Sequence, residues 1–119
     1  MIEGFAGATI WSEHLQRLLP FYRDTIGLKV DFESPEFVVL SQDGRTSLNL
    51  GTHSEVKGKA ADPYRHMVGL ATTDLDADYQ RLSSSGVEFI ETPTAYDVFR
   101  IATLKDPDGN LVQLFQRVG

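Results

Sequence analysis

The chain contains no cysteine, which excludes disulfide bonds, thiolate metal ligands and cysteine nucleophiles and is typical of a reducing compartment. It also lacks any apolar run near the roughly 18 residues that a membrane helix needs. Its N-terminus has no basic flank followed by an apolar core, so no signal peptide is predicted. We therefore expect a cytoplasmic protein without a membrane partner.

Basic side chains are also few, since 11 Lys and Arg stand against 17 Asp and Glu, for a formal net charge of −6. A charge of that sign repels a phosphate backbone, so nucleic acid is not expected as a partner. The commoner reason for mild acidity is solubility. What the chain does have is 41% hydrophobic residues in a length of 119, enough for one globular domain or two small modules that share a core.

One pattern occurs twice in the chain. In each copy a short alternating strand leads into an amphipathic helix, then a glycine, then further alternating segments. Matching helix positions lie sixty residues apart: Leu15 and Leu75, Leu19 and Tyr79, Tyr22 and Leu82. Self-similarity on this scale indicates that one supersecondary unit is used twice.

Each copy predicts a strand, a helix and three more strands. Ser12 and Asp74 are the predicted helix N-caps, and Gly27 and Gly86 the left-handed residues beyond the helix ends. Pro20 should kink the first helix, because it removes a backbone hydrogen bond. The predicted strands are 5–11, 28–32, 37–40 and 46–50 in the first copy and 67–72, 87–90, 99–104 and 111–116 in the second. We expect a single domain over 1–119, with module one about 1–51, a linker about 52–65 and module two about 66–119.

The segment 105–115, KDPDGNLVQLF, reads as a tight turn that feeds a closing strand. Proline presets φ in such a turn and glycine supplies a positive φ. With the segments 21–24 (FYRD) and 26–28 (IGL) and the internal repeat, it resembles the vicinal-oxygen-chelate superfamily of glyoxalases, extradiol dioxygenases and bleomycin-resistance proteins. The resemblance covers nearly the whole chain. It implies an α+β fold in which two βαβββ modules form a curved mixed-sheet cleft, completed across a homodimer whose strands close two equivalent clefts.

The resemblance also implies where a metal would be held. In the metal-using relatives, ligands come from the first and last strand of each unit, commonly His or Gln, then Glu, His and Glu. The matching positions of this chain are Gly7, Asn49, Met67 and Gln113. Glycine has no side chain, a thioether suits Cu(I), and two amides without a carboxylate make a poor site for Zn²⁺, Ni²⁺, Mn²⁺ or Fe²⁺. We therefore predict no metal, no cofactor and no catalytic residue.

Strand alternation places small, aromatic and uncharged polar side chains on the cleft face. Such a lining suits a flat, hydrophobic molecule, because small residues leave room and aromatic rings stack. The predicted ligand-binding residues are Gly7, Thr9, Trp11, Asn49, Met67, Tyr96, Phe99, Ile101, Gln113 and Phe115. For the aromatic ones, a place in a dimer core is the alternative. The preferred hypothesis is a metal-free protein that sequesters a hydrophobic, aromatic-containing small molecule, as bleomycin-resistance-type relatives do, and the acidic balance favours a cationic one.

A second hypothesis is an enzyme of glyoxalase, lyase or dioxygenase type with a displaced metal site or a metal-free acid/base. The displaced metal site would need a one-residue slip of the strand, or a local bulge, that turns His66 into the cleft in place of Met67. Other candidate groups for it are Glu88, Glu91 and Tyr96. A third alternative, a subunit that binds another protein, has no sequence feature in its favour. We rank binding first because all four metal-ligand positions have changed.

Overall fold

The computed structural model describes residues 1–119, which form two compact units, Met1–Gly58 and Lys59–Gly119. Each unit runs strand, helix and three strands, so the prediction of an α+β fold with two βαβββ modules is confirmed. That the units act as a single domain stays a prediction. No helix has both the length and the apolar character required to cross a membrane.

The first unit is a four-stranded sheet with one face packed against a helix. The strand order is β1-β4-β3-β2, with β1 parallel to β4 and the other neighbours antiparallel. Its elements are β1 (Gly7–Ser12), α1 (Leu15–Pro20), a π-helical segment (Phe21–Ile26), β2 (Val30–Glu33), β3 (Phe37–Leu40) and β4 (Ser47–Thr52). Its buried core consists of Ile10, Leu15, Leu18, Leu19, Tyr22, Val38, Leu40, Leu48 and Leu50. The opposite face of the sheet stays open.

The start of α1 differs from the prediction. Ser12 is the buried last residue of β1, and its hydroxyl bonds to the backbone of His14 rather than capping the helix. The N–H of Leu15 instead donates to Oγ1 of Thr52, 3.0 Å away on β4. The predicted cap was wrong because β1 continues through Ser12. The first helical amide is instead satisfied by a hydroxyl from a distant strand.

The first helix changes its hydrogen-bonding pattern at Pro20. The α-helix stops at Pro20 and the chain continues as the wider π-helical segment, as expected where proline removes a backbone donor. Gly27 then ends the segment in the left-handed conformation, with φ 95° and ψ 26°. The predicted role of this glycine is confirmed.

The second unit repeats this architecture with longer strands. The sheet order is β5-β8-β7-β6, with β5 parallel to β8 and the remaining pairs antiparallel. Its elements are β5 (Val68–Ala71), α2 (Leu75–Ser84), β6 (Phe89–Tyr96), β7 (Phe99–Lys105) and β8 (Leu111–Arg117). Its buried apolar core consists of Leu75, Leu82, Ala102, Leu104, Leu111, Val112 and Leu114.

Strand β6 is the largest departure from the predicted elements, because it continues to Tyr96 instead of ending at Ile90. Its pairing with β7 shifts on both sides of Glu91, so the strand is irregular there. Pro93 fits within it because β6 is the edge strand of the sheet, where a missing backbone donor costs little. The extension creates a β6–β7 hairpin that shapes the open face of this unit.

The predicted cap and turn of the second unit are confirmed. The carboxylate of Asp74 accepts a hydrogen bond from the N–H of Ala77 at 3.0 Å, and Gly86 has φ 91° beyond the helix end. In the turn before β8, one oxygen of the buried Asp106 accepts from the N–H groups of Asp108 and Asn110, each at 2.9 Å. The turn thereby fixes where β8 begins.

Candidate functional site

The open face of the first sheet carries four of the predicted site residues. Thr9 pairs with Asn49 and Trp11 with Gly51 in the parallel β1–β4 ladder. Trp11 is 43% exposed, while its neighbour Ile10 is buried against the helix. Alternation along β1 therefore presents Gly7, Thr9 and Trp11 on the open face, as predicted.

The indole of Trp11 packs over a glycine, whose lack of a side chain leaves space for the ring. Its indole covers Gly51 so closely that a Cβ atom there would lie 2.3 Å from the ring. The ring of Phe37 lies 5.9 Å away and that of His53 meets the indole edge-on at 5.4 Å, both between centroids. These contacts limit where the indole can move, while part of its surface stays exposed and open for stacking.

Gly7 and Asn49 both make contacts within the first sheet. A Cβ atom on Gly7 would lie 2.2 Å from the carbonyl oxygen of Ser47, so this glycine accommodates the adjacent strand. The amide of Asn49 accepts from the Ser47 hydroxyl at 2.9 Å and donates to the Thr9 hydroxyl at 3.3 Å. Its role in ligand binding stays a prediction.

The open face of the second sheet forms a cleft. Four predicted residues meet there, together with four that were not predicted as ligand-binding. The lining is Tyr64, Met67, Ile90, Glu91, Tyr96, Ile101, Thr103 and Gln113, around a volume of about 470 Å³. Tyr64 and Tyr96 are 69% and 48% exposed, which leaves their rings accessible at the cleft.

The strand register beside the cleft is the one that the sequence predicted. Gly69 pairs with Gln113 and Ala71 with Phe115, without a shift between β5 and β8. Met67 lines the cleft, whereas His66 is exposed and does not. The structure therefore does not have the bulge at His66 that a displaced metal site would need.

A row of polar groups crosses three strands inside the cleft. Glu91 on β6 pairs with Thr103 on β7, which pairs with Gln113 on β8. The Thr103 hydroxyl donates to Oε1 of Glu91 at 3.3 Å, and the Tyr96 hydroxyl donates to Oε2. This second bond raises the pKa of Tyr96, because the carboxylate stabilises the protonated phenol. The row supplies directional groups on an otherwise apolar surface.

Phe99 and Phe115 lie on the same open face but pack against each other instead of lining the cleft. Their rings are nearly perpendicular, with centroids 6.0 Å apart, and the guanidinium of Arg117 lies 5.7 Å from the Phe99 centroid. The Phe115 ring also covers Gly69, where an added Cβ atom would lie 3.1 Å away. Their predicted ligand contacts stay predictions.

The residues at the metal-ligand positions of the superfamily do not fit a divalent metal. Gly7 has no donor and no room for one, the Asn49 amide is engaged within its sheet, and Met67 offers only a thioether. The structure assembles no group of three or more His, Cys, Asp or Glu side chains that could hold a metal ion.

Four lining residues escaped the prediction of ligand contacts: Tyr64, Ile90, Glu91 and Thr103. Glu91 was considered only as a possible acid or base. The alternating pattern around Thr103 was readable as a strand, but its partner strand β6 was predicted to end before Glu91. No alternating pattern reveals Tyr64, which lies outside the strands, or the adjacent Ile90 and Glu91, which both line the cleft beside a register shift.

The fold and the two open faces define a class of protein. The chain belongs to the Glyoxalase/Bleomycin resistance protein/Dioxygenase superfamily, whose model matches residues 4–114.

Among solved structures, the chain is similar to TnmS3, an antibiotic binding protein from Streptomyces sp. CB03234, with 26% identity, a TM-score of 0.79 and coverage of 98% of this chain and 97% of the other. A glyoxalase/bleomycin resistance protein from the same organism has 27% identity, a TM-score of 0.75 and coverage of 95% and 100%. A superfamily member from Sphaerobacter thermophilus DSM 20745 has 26% identity, a TM-score of 0.77 and coverage of 98% of each chain. No curated protein matches the chain.

Proposed function

We propose that this protein is a metal-free binding protein that sequesters a hydrophobic, aromatic-containing small molecule of antibiotic type. The observation that carries the proposal is the cleft of the second unit, where apolar and aromatic side chains surround one short polar row. The similarity to a structure described as an antibiotic binding protein supports it. The poor fit of the superfamily's metal positions argues against metal-dependent chemistry in this chain.

The cleft has the dimensions and lining of a site for a drug-sized molecule. Its volume of about 470 Å³ lies within the range of roughly 300–1,000 Å³ that small-molecule sites occupy. Burial of apolar ligand surface against Met67, Ile90 and Ile101 contributes about 25 cal/mol per Å². Burial of apolar surface does not fix the orientation of the ligand, so the hydrogen-bonding groups of the polar row select it.

The enzyme alternative keeps two of its four candidate groups in the cleft. His66 is exposed outside the cleft, and Glu88 forms an ion pair with Lys105 at 3.3 Å. Only Glu91 and Tyr96 line the cleft, and they are hydrogen-bonded to each other. The raised pKa of Tyr96 makes this phenol a weaker acid. We therefore keep binding ahead of catalysis.

We also propose a cytoplasmic homodimer as the functional form. The superfamily resemblance supports the dimer, and the absence of cysteine fits a reducing compartment.

The proposed function is tested by calorimetric titration of chelator-treated protein with 9-anthracenemethanol, a neutral three-ring probe, and separately with Ni²⁺, Zn²⁺ and Mn²⁺. We expect saturable binding of the probe and no heat from the metals beyond dilution. Ile101→Ala should weaken probe binding by about 1–2 kcal/mol, because it removes apolar contact area in the cleft.

The matched control is Val56→Ala, which removes a half-buried side chain of the first unit that lies outside its strands. It should leave probe affinity unchanged. Stoichiometric uptake of a metal would contradict the metal-free proposal. Equal losses in Ile101→Ala and Val56→Ala would contradict the location of the site.

A further inference from the structure

Glu91 is hydrogen-bonded to hydroxyl groups, whereas other carboxylates of its unit form ion pairs. Glu88 pairs with Lys105 at 3.3 Å, and Asp76 forms a two-pronged pair with Arg100 at 2.9 and 3.0 Å. Glu91 is half-buried, and its side-chain partners are two hydroxyl groups without any Lys, Arg or His. It therefore presents a carboxylate without a counter-charge inside the cleft.

The hydrogen bonds that Glu91 accepts leave it with unused capacity. A carboxylate offers about four lone-pair sites, and the hydroxyls of Tyr96 and Thr103 occupy one on each oxygen. These two bonds also fix the side chain, so little rotational freedom remains to be lost when a further donor binds. The group is in this sense preorganised for one more partner.

The surroundings of Glu91 favour a positive charge on that partner. No Lys, Arg or His lines the cleft, and the chain as a whole carries a formal charge of −6. The exposed rings of Tyr64 and Tyr96 add two aromatic surfaces whose negative faces attract cations. Gln113 lines the same cleft without a side-chain hydrogen bond of its own and can complement a neutral polar group.

We propose that Glu91 selects the ligand of the cleft by accepting a hydrogen bond from a protonated amine on an otherwise aromatic molecule. The ligand class is then a cationic aromatic amine, with its rings against Met67 and Ile101 and its ammonium group at the carboxylate. This inference rests on the proposed function, because it specifies the ligand of the same cleft. It makes Glu91 a specificity-determining residue.

The test compares three probes with the same ring system and different charge: 9-aminomethylanthracene, 9-anthracenemethanol and 9-anthracenecarboxylate. Each is titrated calorimetrically into the full chain at neutral pH and low salt. We expect the amine to bind about tenfold more tightly than the alcohol, the size of one charge-assisted hydrogen bond in a partly exposed site. The carboxylate should bind more weakly than the alcohol.

Two variants separate a local contact from a general effect of charge. Glu91→Gln retains the shape of the side chain, and we expect the amine to fall to the affinity of the alcohol while the alcohol changes less than about twofold. Glu88→Gln removes the same charge from a residue three positions earlier that is already paired with Lys105. This control should retain the tenfold preference. Circular dichroism of both variants checks that they fold.

The outcomes distinguish the two proposals. Equal affinity of the three probes for the unmodified chain would overturn cation selection and leave the aromatic-binding function standing. A preference that survives Glu91→Gln, or that disappears equally in Glu88→Gln, would overturn the role of Glu91. Absence of binding for all three probes would overturn both proposals.

Discussion

On the open face of the first unit, the position of the Trp11 indole depends on the absence of a side chain at Gly51. The indole occupies the space where a Cβ atom would be, and Phe37 and His53 limit where the ring can move. In a packed contact of this kind even one added methyl group displaces its neighbour. Position and exposure of the only tryptophan thus depend on a glycine of another strand.

We predict that Gly51→Ala displaces the indole of Trp11 and lowers stability by about 1–3 kcal/mol, the usual cost of overpacking. Because Trp11 is the only tryptophan, its fluorescence emission should shift to the red as the ring becomes more exposed. The measurements are emission spectra and urea unfolding. Ser54→Ala, a change at an exposed turn residue, is the control and should alter neither. An unshifted emission maximum in Gly51→Ala would contradict the clash.

At the scale of elements, the helices begin with different capping arrangements. Asp74 caps α2 with its own side chain, whereas α1 depends on Thr52 from the distant strand β4. A cap formed by the preceding residue is local, so its loss acts mainly on the helix that it begins. A cap from another strand ties the helix start to the sheet.

Asp74→Ala should therefore destabilise the protein by about 1 kcal/mol, since the N–H of Ala77 loses its acceptor. Thermal unfolding followed by circular dichroism measures the effect, which should lower Tm by several degrees. Asp74→Ser retains a capping oxygen and should recover most of the loss. If serine and alanine lowered Tm equally, the cap would not be the source of the stability.

The two capping arrangements also explain which parts of the fold could be predicted from the sequence and which could not. The cap at Asp74 and the left-handed Gly27 and Gly86 are local features, so residue type and spacing predict them. The cap from Thr52 joins residues 37 positions apart, and no local pattern reveals it. The full length of β6 was hidden because Pro93 reads as a strand breaker until the strand is known to be an edge.

The candidate site was likewise predictable only where its residues follow a regular local pattern. Alternation predicted that Met67 and Gln113 face the cleft, because β8 pairs with both neighbours without a shift and Met67 directly precedes β5. Ile101 shares this face, since it pairs with Phe115 in the regular β7–β8 ladder. Glu91 follows a register shift, where alternation no longer predicts the direction of a side chain. Tyr64 lies before the first strand of its unit and reaches the cleft from an irregular segment.

For the whole molecule, we predict a homodimer. Light scattering coupled to size-exclusion chromatography should give twice the chain mass of 13.3 kDa at micromolar concentration. Apolar side chains on the open faces, such as the 56% exposed Phe32, are the kind of surface that association covers. A mass of one chain, unchanged on raising the protein concentration tenfold, would contradict the prediction.

The pairing of Trp11 with Gly51 has a counterpart in the second unit. At the equivalent position Ala71 pairs with Phe115, so the aromatic and the small residue have exchanged strands. The Trp11 ring covers Gly51 directly opposite, whereas the Phe115 ring covers Gly69, two residues before its pairing partner. In each unit a glycine on the neighbouring strand therefore provides the space for one aromatic ring on the open face. The two units meet the same packing requirement with the ring and the glycine on opposite strands.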